Sequence, residues 1–352
     1  MPVPPRPPFS ALPLDPNGPA GNAWGLYAGA DDALGALSML TPEVVTAAAA
    51  SQIRSGARVS LDWPLNKPYF PSFGRKAFQH TIESRLRTTE ETEDQRVVND
   101  DALIFNTQCS SQWDGFRHYA DNGAGYQKAK VFYNNKTQEE VESSDVLGID
   151  AWVAHGGIVG RGVLLDYAGY AERHGIKLDH FSCTGIPVEH LQDVVREQGI
   201  TFEPGDIVLI RIGFTAAYDA LTKEEQKALP LREVPAFMGL SPTKATLQWL
   251  WETNCAALAS DAVGMEQTPV YGDHVRPGGA WKGEIWEEEM QGGGLVHQWV
   301  LAGWGVPIGE MFDLEALREQ CVAHNRWTFF FASVPLRVPG GVASPPNAIA
   351  IF

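Results

Sequence analysis

The residues most capable of chemistry crowd into one stretch, Asn106-Thr107-Gln108-Cys109-Ser110-Ser111-Gln112-Trp113-Asp114-Gly115-Phe116-Arg117-His118-Tyr119. Within it Gln108, Gln112, Asp114 and His118 fall at intervals of four, two and four. Each side chain offers an oxygen or nitrogen lone pair to a cation. If Gln108–Asp114 runs extended, alternate residues share a face, so Gln108, Gln112 and Asp114 line up and His118 follows the Gly115 turn. A buried Asp–His hydrogen bond is the plain structural alternative, and spacing alone leaves both readings open. A second candidate pair is His297 and Glu310, thirteen residues apart across a long apolar run. A histidine on an apolar helix is commonly a satisfied core residue. A carboxylate that closes an apolar stretch needs a partner. Together the two segments suggest one divalent cation held by Asp114, His297 and Glu310, with the carbonyl oxygens of Gln112 and Gln108 assisting.

These side chains need a scaffold. Residues 32–56 read as helical, with Thr41-Pro42-Glu43 opening a helix over Val44–Ser51. Arg58–Trp63 alternates like a strand. Val163–Asp166 and Ile207–Ile212 are short apolar strands, and Ala256–Ser260 is another. Val188–Glu197 and Thr243–Asn254 read as helices, as do Leu295–Ala302 and Phe312–Cys321. Phe329–Arg337 and Ala348–Phe352 read as late strands. Helices alternating with short apolar strands predict an α/β fold with a mixed sheet flanked by helices. Gly264–Gly294 has little periodicity and reads as an ordered loop, the kind of segment that forms lids or binding loops.

Composition removes several function classes. The chain has 352 residues, with 27 Lys+Arg against 43 Asp+Glu, a net charge of −16. Such an acidic chain has no general attraction for phosphate backbones or anionic lipid, so neither nucleic acid nor a membrane surface is expected as a partner. No run of about 18 apolar residues is present. Residues 1–23 read as a Pro-rich, solvated N-terminal arm with no apolar export segment, and residues 24–352 as one domain. Cys109, Cys183, Cys255 and Cys321 are far apart and form no C-x-x-C pair, which fits reduced thiols in a cytoplasmic protein. G-x-S-x-G, H-E-x-x-H and Walker-type loops are all missing. Gly156–Gly162 precedes its strand rather than following one, so it reads as a glycine-rich strand entry and not as a phosphate loop.

The frame Q-x-x-x-Q-x-D-x-x-x-H from Gln108 to His118 resembles the H-x-G-T-H-x-D-x-P-x-H signature of the metal-dependent cyclase-like hydrolases. That family includes bacterial kynurenine formamidase, isatin hydrolase and trans-dienelactone hydrolase. Arg161–Asp166 and Glu203–Gly213 resemble two of its strand segments. His297 and Glu310 fall where its later ligands sit, and Pro335–Arg337 with Gly340, Ser344 and Pro345 fits its C-terminal portion. Gln108 and Gln112 stand where the family has histidines, and Gly115-Phe116 replaces its residue-Pro pair.

The resemblance implies a swivelling β/α/β-type domain, assembly as a homodimer or homotetramer, and a small-molecule substrate. It implies metal-assisted hydrolysis of a small lactone, with a cyclic amide or N-formyl amide as the alternative substrate and a non-catalytic small-molecule-binding member of the same fold as the alternative class. The glutamine replacements favour a harder ion than imidazoles would, so one divalent metal is expected, Mn²⁺ ahead of Zn²⁺. A cation in such a site polarises an acyl carbonyl and makes water more acidic. His118 is the candidate general base. Trp113, Trp24 and Phe73 are the candidates for lining a substrate pocket, with Trp281 and Trp286 weighed beside them.

Overall fold

The computed structural model describes residues 6–27, 32–87, 96–121, 130–269 and 295–352. Its frame is a mixed sheet of nine strands: β1 (Arg58–Ser60), β2 (Gln112–Asp114), β3 (Ile158–Asp166), β4 (Ile207–Arg211), β5 (Ala257–Ser260), β6 (Ile308–Glu310), β7 (Thr328–Ser333), β8 (Ala343–Ser344) and β9 (Ala348–Ile351). Their spatial order is β1-β9-β7-β3-β4-β5-β6-β2-β8. The four middle strands β3, β4, β5 and β6 run parallel, and the flanking strands pair antiparallel. Parallel strands covered on both faces read as unbroken apolar runs. Ile207–Ile210 and Ala257–Ser260 are accordingly buried at every position.

Helices cover this sheet for reasons visible in their sequences. Thr41 caps Pro42–Gln52 by accepting from the Val44 amide, with proline in the first turn. Val188–Glu197 buries Val188, Leu191 and Val194, the stripe its amphipathic pattern predicts. Glu315–Ala323 packs against β3 and buries Leu317 and Cys321. The glycine-rich stretch is no phosphate loop, and most of it is strand: β3 begins at Ile158, five residues before the expected Val163, with Gly160 and Gly162 inside it. Gly162 pairs with Phe329 across the β3–β7 ladder, and a Cβ on Gly162 would stand 2.2 Å from that ring.

Several expectations change. The strand expected at Arg58–Trp63 stops at Ser60, and the helix expected from Phe312 starts at Glu315. The helix expected over Leu295–Ala302 is a π-helical turn over Gln298–Gly303. A long antiparallel hairpin, Gln79–Arg87 with Arg96–Ile104, was not foreseen. The N-terminal segment is not a solvated arm from residue 6 onward. Phe9 is buried, stacked 5.9 Å from Trp299 and edge-on to Trp304. Arg6 lies over Trp251 and donates to the Cys255 carbonyl at 2.6 Å. The expected loop is described only as far as residue 269; residues 270–294, with Trp281 and Trp286, lie outside the described residues. All four cysteines are free thiols. Among the described residues, no helix is long and apolar enough to cross a membrane.

Candidate metal centre

The site forms where β2 meets the carboxyl end of β6. These strands pair antiparallel, with Gln112 opposite Glu310. Side chains alternate along a strand, so Gln112 and Asp114 face one side and Trp113 the other. Asp114 is wholly buried. Gln112 Nε2 donates to Glu310 Oε2 and to Gln108 Oε1, each at 2.8 Å. Gln108 Nε2 donates in turn to Asp114 Oδ1 at 2.5 Å. Two glutamines thus act as braces between two carboxylates. Gln108 reaches the site from a turn before the strand, held by the Asn106 side chain at 2.9 Å, and not from the extended segment that spacing suggested.

His297 enters from the start of the π-helical turn. Turns of this kind recur at functional sites. Its Nδ1 lies 2.7 Å from Glu266 Oε2. Its Nε2 lies 3.0 Å from Glu310 Oε1 and 3.6 Å from Asp114 Oδ2. Glu310 Oε1 also accepts from the Met265 amide at 3.1 Å. One imidazole is therefore ringed by three buried carboxylates. Glu266 escaped sequence reading because it sits in an aperiodic loop; no spacing marks it.

His118 follows a turn in which its amide donates to the Gly115 carbonyl at 2.9 Å. Gly115 has no room for a Cβ, which would stand 2.7 Å from the Val342 carbonyl oxygen. The His118 ring lies 6.2 Å from that of His297, and Tyr119 lies 5.6 Å from it on another side. Ligand-capable atoms of Asp114, His118 and His297 all fall within 4.8 Å of one another. The structure therefore brings together Gln108, Gln112, Asp114, His118, His297 and Glu310.

It does not bring Trp113 or Trp24 to that cluster. Trp113 is fully buried on the far face of β2, donating to Ser333 Oγ at 2.9 Å and packing edge-on against Phe312 and Phe331. Trp24 donates to the Ala302 carbonyl at 2.8 Å and is nearly buried. Both expectations for the tryptophans are corrected: their indoles serve the core. Phe73 is half exposed and lines an apolar recess beside Gln108.

Electrostatics follow from this crowding. Burial pulls the His297 imidazole down, but the Glu266 charge, the nearby Asp114 carboxylate and hydrogen bonds to Glu266 and Glu310 outweigh it and hold it well above the ordinary histidine range. Burial pushes Glu310 up, and the Asp114 charge adds to that. For Asp114 burial is overcome by the His118 and His297 imidazoles and the Gln108 hydrogen bond, which lower it. Burial lowers His118, against the opposing pull of Asp114. Two buried oxygens, Asp114 Oδ2 and Gln112 Oε1, make no hydrogen bond among the described residues. Unpaired buried oxygens are costly, and a hard cation satisfies such oxygens. The donor chemistry fits a divalent ion.

Fold and site together define an α/β protein with a carboxylate–imidazole cluster at the end of a mixed sheet. The sequence model of the Cyclase family matches residues 38–267, and the chain belongs to that family. A solved structure described as a novel cyclase is 28% identical, with a TM-score of 0.73, covering 94% of this chain and 99% of its own. Isatin hydrolase A from Labrenzia aggregata, bound to benzyl benzoate, is similar at 17% identity and a TM-score of 0.50, covering 88% of this chain and 97% of its own. Isatin hydrolase A from Ralstonia solanacearum is similar at 16% identity and a TM-score of 0.50, covering 89% and 98%. No curated protein matches the sequence.

Proposed function

We propose that this chain is a metal-dependent hydrolase that opens a small cyclic acyl compound. The observation that carries the reading is the convergence of Asp114, Glu266 and Glu310 on His297, with Asp114 Oδ2 accepting no hydrogen bond among the described residues. Asp114 and His297 would hold the ion, supported by Glu310 and by the carbonyl oxygens of Gln112 and Gln108. When bound, a divalent cation supplies Lewis acidity toward the acyl carbonyl and a more acidic water. The oxygen-rich donor set supports Mn²⁺ ahead of Zn²⁺.

The chain's own residues do the rest. Glu266 takes the Nδ1 proton of His297 as a hydrogen bond, which fixes the tautomer and aims the Nε2 lone pair at the cluster. The two glutamines lock both carboxylate planes. His118, half buried and lowered by burial, is largely neutral near pH 7 and can take a proton from water at its ring nitrogen. The resulting imidazolium can return that proton to the leaving oxygen or nitrogen. A lactone is the leading substrate class. The likeness to isatin hydrolases supports a cyclic amide as the second.

We assign the protein a homodimeric or tetrameric state and a reducing, cytoplasmic setting. The exposed Ile82, Val97 and Leu103 on one face of the Gln79–Ile104 hairpin support the first, since an isolated hairpin is marginal in water. The four free thiols support the second.

The test is elemental analysis of purified protein, joined to a hydrolysis screen of lactones, lactams and N-formyl amides under Mn²⁺ and Zn²⁺. We expect near-stoichiometric metal in the wild type, and its loss in Asp114→Ala and His297→Ala. Full metal content in both variants overturns the site. Metal without any hydrolysis favours a binding protein on the same fold.

A further inference from the structure

Glu266, the carboxylate behind His297, is carried by no strand of the main sheet. Its backbone is held instead by a short ribbon over Phe237–Leu240. Phe237 and Thr268 exchange amide hydrogen bonds at 2.8 and 2.9 Å. The Leu240 amide donates to the Met265 carbonyl at 2.9 Å, and the Gln267 amide donates to the Leu240 carbonyl at 3.0 Å. The ribbon is fixed from its other side as well. Gly239–Leu240 pairs in parallel with Gly185–Ile186, and the Gly239 and Ser241 amides donate to the Thr184 and Ile186 carbonyls at 3.2 and 3.0 Å.

Gly239 sits between these two neighbours and is buried. Its φ lies outside the left-handed region, so backbone conformation does not call for glycine there. Close approach does. A Cβ on Gly239 would stand 2.3 Å from the Glu266 carbonyl carbon, 2.5 Å from its oxygen and 2.6 Å from the Gln267 nitrogen. All three are backbone atoms, which no side-chain rotation can move aside. Carbon atoms in good contact lie about 3.5–4.0 Å apart, so a methyl group here would push the two chains apart by about 1 Å. Pinned on its far side, the ribbon cannot retreat, and Glu266 has to give way. The Glu266 carboxylate lies 2.7 Å from His297 Nδ1, and hydrogen bonds end at about 3.5 Å. A shift of that size is enough to break the pairing.

We propose that Gly239 is a positioning residue for the metal centre: by carrying no side chain it lets the Phe237–Leu240 ribbon set the reach of Glu266 toward His297. Gly239 has no group of its own to offer an ion, so its influence runs through Glu266. The proposal rests on the metal-dependent reading for its use, but the pairing it sets is tested without metal.

Isotope-labelled histidine reports the Nδ1 proton of His297 by NMR in metal-free wild type and Gly239→Ala. Mn²⁺ is then titrated calorimetrically at alkaline pH into wild type, Gly239→Ala, Glu266→Ala and the double variant. We expect a hydrogen-bonded Nδ1 proton signal in the wild type, shifted or lost in Gly239→Ala. Mn²⁺ affinity should fall about tenfold in Gly239→Ala, the lower end of the loss on disturbing a residue that orients a metal ligand. In the Glu266→Ala background the same substitution should cost less than about twofold, because no carboxylate is left to position. An unchanged Nδ1 signal or an unchanged Mn²⁺ affinity overturns the proposal. So does a tenfold loss that repeats in full in the Glu266→Ala background, the mark of general loosening. Should Gly239→Ala fail to fold, amide hydrogen exchange of the wild type decides: Mn²⁺ should slow the Leu240 and Gln267 amides, and unchanged exchange there overturns the proposal. A Gly239-dependent Nδ1 signal in a wild type that takes up no Mn²⁺ would leave this positioning standing and remove the metal-dependent reading.

Discussion

Glu266→Gln tests how the centre is built. Glu266 is 2% exposed and lies 2.7 Å from His297 Nδ1. Glutamine keeps the volume, and its amide oxygen can still accept the Nδ1 proton, so the fold and tautomer should survive. The charge is lost. Changing the residue that orients a ligand typically costs 10–100-fold in metal affinity. That is about 1.4–2.8 kcal/mol. A second effect runs the other way. Glu266 is the strongest influence holding His297 protonated against the pull of burial, and a protonated imidazole cannot ligate. In the wild type, log affinity should rise by about one unit per pH unit until His297 deprotonates. In Glu266→Gln that plateau should arrive at lower pH. The two titration curves should therefore separate by the full 10–100-fold only in the alkaline range and converge on the acid side. Calorimetric Mn²⁺ and Zn²⁺ titrations of chelator-stripped protein across pH measure both features. Equal alkaline affinities, or the same plateau pH in both proteins, would refute the assignment of Glu266 as the residue that orients His297.

Three further outcomes follow from the geometry. His118→Ala should keep its metal and lose at least about 100-fold in kcat/KM. In the wild type, kcat/KM should fall as pH drops through a His118 value below the ordinary 6.5, because burial lowers that group. Stripped of metal, the protein should lose thermal stability as pH rises from neutral, whereas the loaded protein should not. Both His297 and Glu310 are raised in the folded state, so their stabilisation is present below their unfolded values and disappears as pH climbs through their folded ones. Trp113→Ala should cost about 3–5 kcal/mol in chemical denaturation, as a large buried ring is removed, and leave KM unchanged.

How much of this was legible in the sequence depends on the kind of signal. Glu310 could be read because a carboxylate that closes an apolar stretch demands a partner, and Asp114 because of its spacing within a dense polar stretch. The strands at Val163–Asp166 and Ile207–Arg211 are unbroken apolar runs, and Val188–Glu197 carries a helical stripe, so local pattern was enough. The π-helical turn was not legible, since one extra residue per turn leaves the same apolar sequence looking α-helical. Gln108 was placed at the site for the wrong reason. A turn held by Asn106 brings it there, and turns of this sort depend on one side chain rather than on a period. The hairpin over Gln79–Ile104 mixes Glu83, Asp100 and Asp101 with exposed aliphatics, so neither face alternates cleanly. Prolines dominate the N-terminal segment, and the residues that fasten it, Arg6 and Phe9, meet partners some 245–295 positions later. Glu266 matters only through His297, thirty-one residues away, and no spacing rule reaches that far.

The carboxyl ends of the parallel strands make the same point about charge. Asp166 ends β3 and is met by Arg211 at 2.7 Å, which also grips Glu315 at 2.7 Å. Asp261 follows β5 and accepts from the Ile212, Gly213 and Phe214 amides at 2.6–3.0 Å. Each of these buried acids meets arginines or backbone amides nearby, although Asp166 Oδ2 accepts no hydrogen bond among the described residues and has only Arg318 at 3.7 Å. Glu310, at the end of β6, is answered differently: it faces Asp114, and Glu266 stands behind the one imidazole between them. Three carboxylates carry three negative charges, and even a protonated His297 returns only one. The Arg75 guanidinium acts on Glu310 from outside the cluster and offsets part of what remains; the rest is costly to bury. A divalent ion with neutral His297 lowers the residual to one and satisfies the Asp114 oxygen that accepts no hydrogen bond. On this accounting the centre should be the least stable part of the fold when stripped and among the most rigid when loaded. Amide hydrogen exchange at Met265 and His297, whose backbone N–H groups donate to Glu310 and Glu266, reads that difference directly. Both amides should slow on metal addition; unchanged exchange would mean that the buried charge is balanced by some other route.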